Sequence, residues 1–235
     1  MQYANCHSAR FIQRLNRFVA RVELDGEITD VHVKNTGRCR ELLVPGYQVY
    51  LEKAQSTLRK YAYDLVAVDK VCPDGIRRIN MDSMAPNRAA GEWLSGGGLG
   101  KLENLRPEVT VGDSRFDFAA EQDGRKVFIE VKGCTLENDG VASFPDAPTI
   151  RGLKHVRGLT HLAREGHRCV VLMVIQMKGI DRFTPNWDTH FEFGQALIDA
   201  QAAGMEIRAM DCRVAPGSVV IDAPVAVDLS LPARG

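Results

Sequence analysis

The sequence predicts a mixed α/β (α+β) chain in two parts: a small β-barrel or sandwich, then a mixed sheet covered by helices. Three observations carry this. Five short strand-like segments crowd into the residues before Asn80, with no helix of useful length among them. Two segments of helical periodicity, Thr149–Glu165 and Phe193–Ala203, alternate with strand-like runs further on. One run, Cys169–Ile175, is apolar throughout, as in a strand buried on both faces.

Taken in order, Phe18–Leu24 alternates as a strand, and Asp25-Gly26 is a hairpin turn into Ile28–Val33. Pro45-Gly46 turns the chain into Tyr47–Glu52, and Tyr63–Val68 and Arg77–Asn80 complete the front set. Asn87–Leu94 reads as a short helix ending at the glycines of SGGGLG. Phe116–Ala120 and Lys126–Lys132 read as strands joined through Asp123-Gly124. The helix Thr149–Glu165 stops at Gly166 and places Leu153, Val156, Leu159 and Ala163 on one face. Arg151, Lys154 and His161 fall opposite, with His155 at the edge. Met205–Met210 is a further strand, and Ser218–Leu229 a terminal hairpin.

Composition bounds the function. Of 235 residues, 45% are hydrophobic and 26% charged, so the chain can bury a core and is not disordered. No run of 18 apolar residues is present and the start carries no signal-peptide pattern, which points to a cytoplasmic protein without a membrane partner. Net charge is zero, yet residues 1–80 carry 13 basic and 9 acidic side chains, a mild excess that suits an anionic partner. None of the six cysteines lies in a C-x-x-C pair, which argues against a zinc ribbon, and in a chain of this size without a signal six cysteines do not imply disulfides.

The segment Ser114–Gly133, SRFDFAAEQDGRKVFIEVKG, concentrates the chemistry. A period of two puts Phe128, Glu130 and Lys132 on one strand face, the last two about 7 Å apart at Cα. Asp117, between Phe116 and Phe118, points away from both and approaches Glu130 if the strands pair. Two carboxylates and a lysine in this arrangement are what metal-assisted phosphodiester hydrolysis requires. Hard oxygens hold Mg²⁺, the ion activates water, and an ammonium offsets developing charge. The competing reading is an internal Glu130–Lys132 ion pair on a solvated sheet face. In the front part, VKNTGRCREL sets Lys34, Arg38 and Arg40 around an Asn-Thr-Gly turn, where backbone N–H groups and cations can meet a phosphate.

Several stretches resemble the sugar fermentation stimulation protein A (SfsA) family: FIQRLNRFVARV, NTGRCRELLVPG, APNRAA, SRFDF, FIEVKG, FPDAPTIRGLKHVRGL and RFTPNWD. They run in family order from about Phe11 to Asp211. The resemblance implies an OB-fold-like domain over residues 10–82 and a PD-(D/E)xK, restriction-endonuclease-like domain over residues 83–235. It also implies DNA binding without sequence specificity and a link to regulation of sugar (maltose) metabolism. A DNA-binding regulator without catalysis is the alternative.

By the same resemblance, Asp117, Glu130 and Lys132 match the family's strand aspartate and E-x-K, with Asp117 and Glu130 the Mg²⁺ ligands. A further acid would come from Glu108 or Glu92, Glu108 being nearer in sequence to the strand pair. Arg115 shares a face with Asp117 and can pair with it or touch phosphate, while Arg151, Lys154 and His155 are placed for the scissile phosphate. Two features depart from the family: Cys39 interrupts the basic loop, and SGGGLG is unusually glycine-rich.

Overall fold

A computed structural model describes residues 1–35, 37–56 and 58–232. The first unit contains β1 (Cys6–Asn16), β2 (Val19–Leu24), β3 (Glu27–Val33), β4 (Gln48–Lys53), β5 (Tyr63–Cys72) and β6 (Gly75–Asn80). Asp25 and Gly26 both have positive φ, 52° and 82°, as the twist of a two-residue hairpin demands. Strands pair in the order β3-β2-β1-β4-β5-β6, and a parallel pairing of β3 with β5, His32 to Asp64, closes the first five into a ring. This is the five-stranded barrel of an OB-fold. Phe11, Val22, Val31, Val49, Leu51 and Leu65 fill it. β1 escaped the sequence reading because only Ala9 and Phe11 of its eleven residues are buried, so it carries no alternating stripe.

The loop from β3 to β4 is bolted by Arg14. Its guanidinium donates to the carbonyls of Asn35, Gly37, Arg38 and Arg17 at 2.6–2.8 Å. A Cβ on Gly37 would lie 2.6 Å from Asp146 Oδ2, so the loop meets the second unit closely here and a larger residue would displace that carboxylate. Thr36, the centre of the Asn-Thr-Gly turn, lies outside the described residues.

The second unit opens with α1 (Ala85–Ser95) and an antiparallel meander, β7 (Glu103–Val111), β8 (Ser114–Gln122) and β9 (Arg125–Cys134). Then follow β10 (Leu136–Asn138), β11 (Val141–Phe144), α2 (Ile150–Arg164), β12 (Arg168–Ile175), β13 (Arg182–Pro185), α3 (Phe191–Ala202), β14 (Glu206–Ala215) and β15 (Ser218–Val227). They form one nine-stranded sheet, ordered β10-β11-β13-β15-β14-β12-β9-β8-β7, with β9, β12 and β14 mutually parallel. Phe116, Phe128, Val171 and Met173 pack on the α2 and α3 side; Phe118, Ile129, Leu172 and Val174 pack on the α1 side. Burial on both faces is why the Cys169–Ile175 run has no polar position.

Two expectations are corrected. Ser218–Leu229 is no hairpin: β15 is a single strand, antiparallel to β14. β7 was not foreseen, because none of its nine residues is buried and Pro107 interrupts it, as an edge strand tolerates. All six cysteines are free. Among the described residues no helix is long and apolar enough to cross a membrane.

Candidate metal centre

β8 and β9 pair from Gln122↔Arg125 to Phe118↔Ile129, and there the ladder ends. The next residue on β8 is Asp117. Phe118 faces α1 while Phe116 faces α2, so the strand's alternation breaks at Asp117. The expected geometry, with both phenylalanines on one face, is corrected on this point. The Asp117 carboxylate turns toward β9 instead: Oδ2 accepts from the Val131 N–H at 2.7 Å, and Oδ1 accepts from Asn87 Nδ2 of α1 at 2.7 Å. A side chain thus stands in for the lost ladder bond. Burial pushes the Asp117 pKa up and the charge of Glu130 adds to this, against the bonds from Val131 and Asn87 and the charge of Lys132.

Glu130 is 2% exposed. Its Oε1 accepts from Lys132 Nζ at 2.5 Å and from His155 Nδ1 at 2.5 Å. Its Oε2 is buried without a hydrogen-bond partner. A buried carboxylate oxygen with no partner is costly. Among the described residues no group of three or more His, Cys, Asp or Glu side chains is placed to hold a metal ion, so the donor set here is two carboxylates, which fits only a hard divalent cation that keeps several waters. It does not fit zinc.

The other predicted site residues separate. His155 is no exposed phosphate contact: it is 6% exposed, lies edge-on to Phe116 and is bonded to Glu130. The close approach of α2 to β8 puts it there, since a Cβ on Gly158 would touch Ser114 and Phe116 at 3.2–3.4 Å. Arg151, one turn earlier on the same face, and Lys154 are exposed beside it. Glu108 projects from the edge strand and pairs with Arg115 at 3.5 Å, both largely exposed. Glu92 takes the Met1 ammonium at 2.6 Å. The side chain beside Asp117 is Asn87, which sequence reasoning missed; its only signal was the APNRAA stretch.

In the barrel, Lys34 is corrected from phosphate contact to internal ion pair. Its Nζ lies 3.0 Å from Asp82, 3.3 Å from Glu52 and 3.8 Å from Asp64. Burial works against its ammonium, but these carboxylates, Asp82 first, outweigh burial and raise its pKa. Arg38 and Arg40 are exposed, and with Arg14 and Arg17 they rim an open groove of about 470 Å³. Two of the barrel's tyrosines are engaged within it: Tyr50 donates to Asp69 at 2.8 Å under Arg78, and Tyr63 sits edge-on to His7.

Comparison with known proteins agrees with this architecture. The family model described as the SfsA N-terminal OB domain matches residues 12–74. The model described as the sugar fermentation stimulation protein RE domain matches residues 84–218. The sugar fermentation stimulation protein homolog of Desulfitobacterium hafniense is 50% identical over 219 residues, 93% of this chain and 94% of that one. The homolog of Ruminiclostridium cellulolyticum is 46% identical over 230 residues, 97% and 100% of the two chains. Pyrococcus furiosus SfsA, solved in complex with Ca²⁺, superposes with a TM-score of 0.83 at 26% identity, covering 97% and 98% of the chains. With both domains matched over most of its length, the chain belongs to the sugar fermentation stimulation protein (SfsA) family.

Proposed function

We propose that this protein binds DNA without sequence preference and hydrolyses phosphodiester bonds with Mg²⁺ held by Asp117 and Glu130. The observation that carries this is the bare, buried Oε2 of Glu130 on the strand next to the Asp117 carboxylate. The Ca²⁺ found with the Pyrococcus furiosus relative supports a divalent cation. When bound, Mg²⁺ supplies Lewis acidity to a phosphate oxygen and acidifies an attacking water. Lys132, on Glu130 at 2.5 Å, places an ammonium where negative charge grows on the phosphate. Arg151 and Lys154 hold the substrate backbone beside the site, while Arg38 and Arg40 hold it on the barrel.

Supercoiled plasmid and single-stranded DNA incubated with Mg²⁺ or Mn²⁺ test the reading. Cutting is expected from the wild type and not from Asp117→Ala/Glu130→Ala. No cutting, or equal cutting by both, leaves a DNA-binding module, the form in which a link to sugar metabolism would be regulatory. Binding itself is expected to weaken steeply with salt, because each phosphate contact releases counterions. Replacing Arg38 and Arg40 by alanine should flatten the slope of log K against log salt by about 2, about 1 per lost contact. An unchanged slope would remove the barrel loop from the interface.

A further inference from the structure

We propose that His155 dictates which Glu130 oxygen a cation can use, and that this makes the site select a small octahedral ion over Ca²⁺. The inference rests on the proposed metal site and adds its selectivity. Glu130 Oε1 accepts two hydrogen bonds at 2.5 Å, from Lys132 Nζ and from His155 Nδ1. An sp² oxygen has two lone pairs, so Oε1 is filled. The carboxylate can only accept, so the imidazole carries its proton on Nδ1. Oε2 alone remains, buried and without a partner. Glu130 therefore offers a cation one oxygen, not a pair.

Asp117 is less restricted and can still meet a cation through one oxygen or both. Each of its oxygens carries one bond, from Asn87 or from Val131, which leaves one lone pair apiece. Ca²⁺ takes six to eight oxygens at roughly 2.3–2.6 Å and often uses carboxylates through both oxygens. Mg²⁺ and Mn²⁺ are served by few protein oxygens in octahedral geometry, with water filling the rest. A Glu130 carboxylate confined to one oxygen suits the second kind of ion.

Of the two donors on Oε1, His155 is the rigid one. Lys132 ends a flexible stem from the same strand as Glu130. His155 is delivered by α2, which is seated on β8 at Gly158, and its ring is wedged against Phe116 at 6.1 Å between centroids. Removing its donor frees a lone pair on Oε1 and lets Glu130 coordinate through both oxygens. His155 is thus a positioning residue for the metal ligand.

Calorimetric titration of the full chain with Mn²⁺ and with Ca²⁺, without DNA, tests this. The wild type should prefer Mn²⁺. His155→Phe keeps an aromatic ring but no donor, and should lower the ratio of Mn²⁺ to Ca²⁺ affinity about tenfold, the low end of what loss of a ligand's hydrogen-bond partner costs in affinity, here falling on Mn²⁺ and not on Ca²⁺. His155→Gln retains an N–H and should restore most of the ratio. An unchanged ratio in His155→Phe, or His155→Gln behaving like His155→Phe, overturns the proposal while the metal site stands. A wild type that binds neither ion, or an Asp117→Ala variant that titrates like the wild type, overturns the metal site as well. Infrared difference spectra of the wild type need no variant at 155. The carboxylate band that Mn²⁺ shifts, and that Glu130→Gln lacks, should show the wide splitting of one-oxygen coordination. The narrow splitting of two-oxygen coordination would overturn the proposal.

Discussion

Asp117→Asn is expected to make the metal-free protein more stable at neutral pH and to abolish its stabilisation by divalent cations. Burial and the charge of Glu130 raise the Asp117 pKa in the folded state. The folded state then keeps this proton to a higher pH than the unfolded state does. Native protein binds more protons across that window, so stability falls as pH rises from the ordinary carboxylate value, about 3.9, through the raised one. Above the window the whole cost remains; below it there is none. An amide at 117 removes the charge. Its oxygen still receives the Val131 N–H, and its NH₂ can donate to Asn87 once that amide rotates. Metal-free melts should put the variant above the wild type at pH 7.5, with the gap closing toward pH 4. At a Mn²⁺ concentration a hundred times Kd the wild type should gain about 2.7 kcal/mol and the variant nothing. A variant less stable than the wild type at both pH values would mean that Asp117 is retained for packing rather than for a cation. The opposite result is the signature of a site that spends stability on function.

What the sequence made legible follows from how local each signal was. β12 was readable because both of its faces are buried and its residues report this directly. Asp117, Glu130 and Lys132 stood out because charges are rare in such apolar strands. The turn of Asp117 into the gap between β8 and β9 was not readable, because it arises where the two strands stop pairing. In the sequence His155 reads as the edge of a basic face, although it lies one turn before Leu159 and beside Val156 on the buried stripe of α2. Its partner, Glu130, is 25 residues away in sequence. Lys34 escapes sequence reading for the same reason. It looks like surface charge until Asp82 is brought to it by the fold. Arg38, Arg40, Arg151 and Lys154 are exposed.

Glu137→Ala should cost about 3–5 kcal/mol of stability, the usual consequence of stripping one partner from a buried ion pair. Glu137 belongs to β10 of the large sheet, and its side chain is 2% exposed. Lys70 of β5 reaches Oε2 at 2.7 Å and Arg77 of β6 reaches Oε1 at 2.5 Å, so this carboxylate ties two barrel strands to the second unit. Oε1 also accepts the Gly140 N–H at 3.0 Å, which fixes the turn from β10 to β11. Alanine leaves Lys70 without its carboxylate and Arg77, 9% exposed, with Asp74 alone at 2.8 Å. Burial alone would raise the Glu137 pKa, but Lys70, Gly140 and Arg77 together hold it below the ordinary value. Its contribution is therefore complete above the unfolded-state pKa, about 4.3, and is lost as pH falls through the lower folded-state value. Urea titrations should show a gap of that size between wild type and variant at pH 7, shrinking in acid. Adding Lys70→Met and Arg77→Met to Glu137→Leu should recover much of it, since apolar side chains of similar volume replace buried charges at little cost. A gap below about 1 kcal/mol at pH 7 would mean that the cleft around Glu137 admits enough water to solvate the stranded cations.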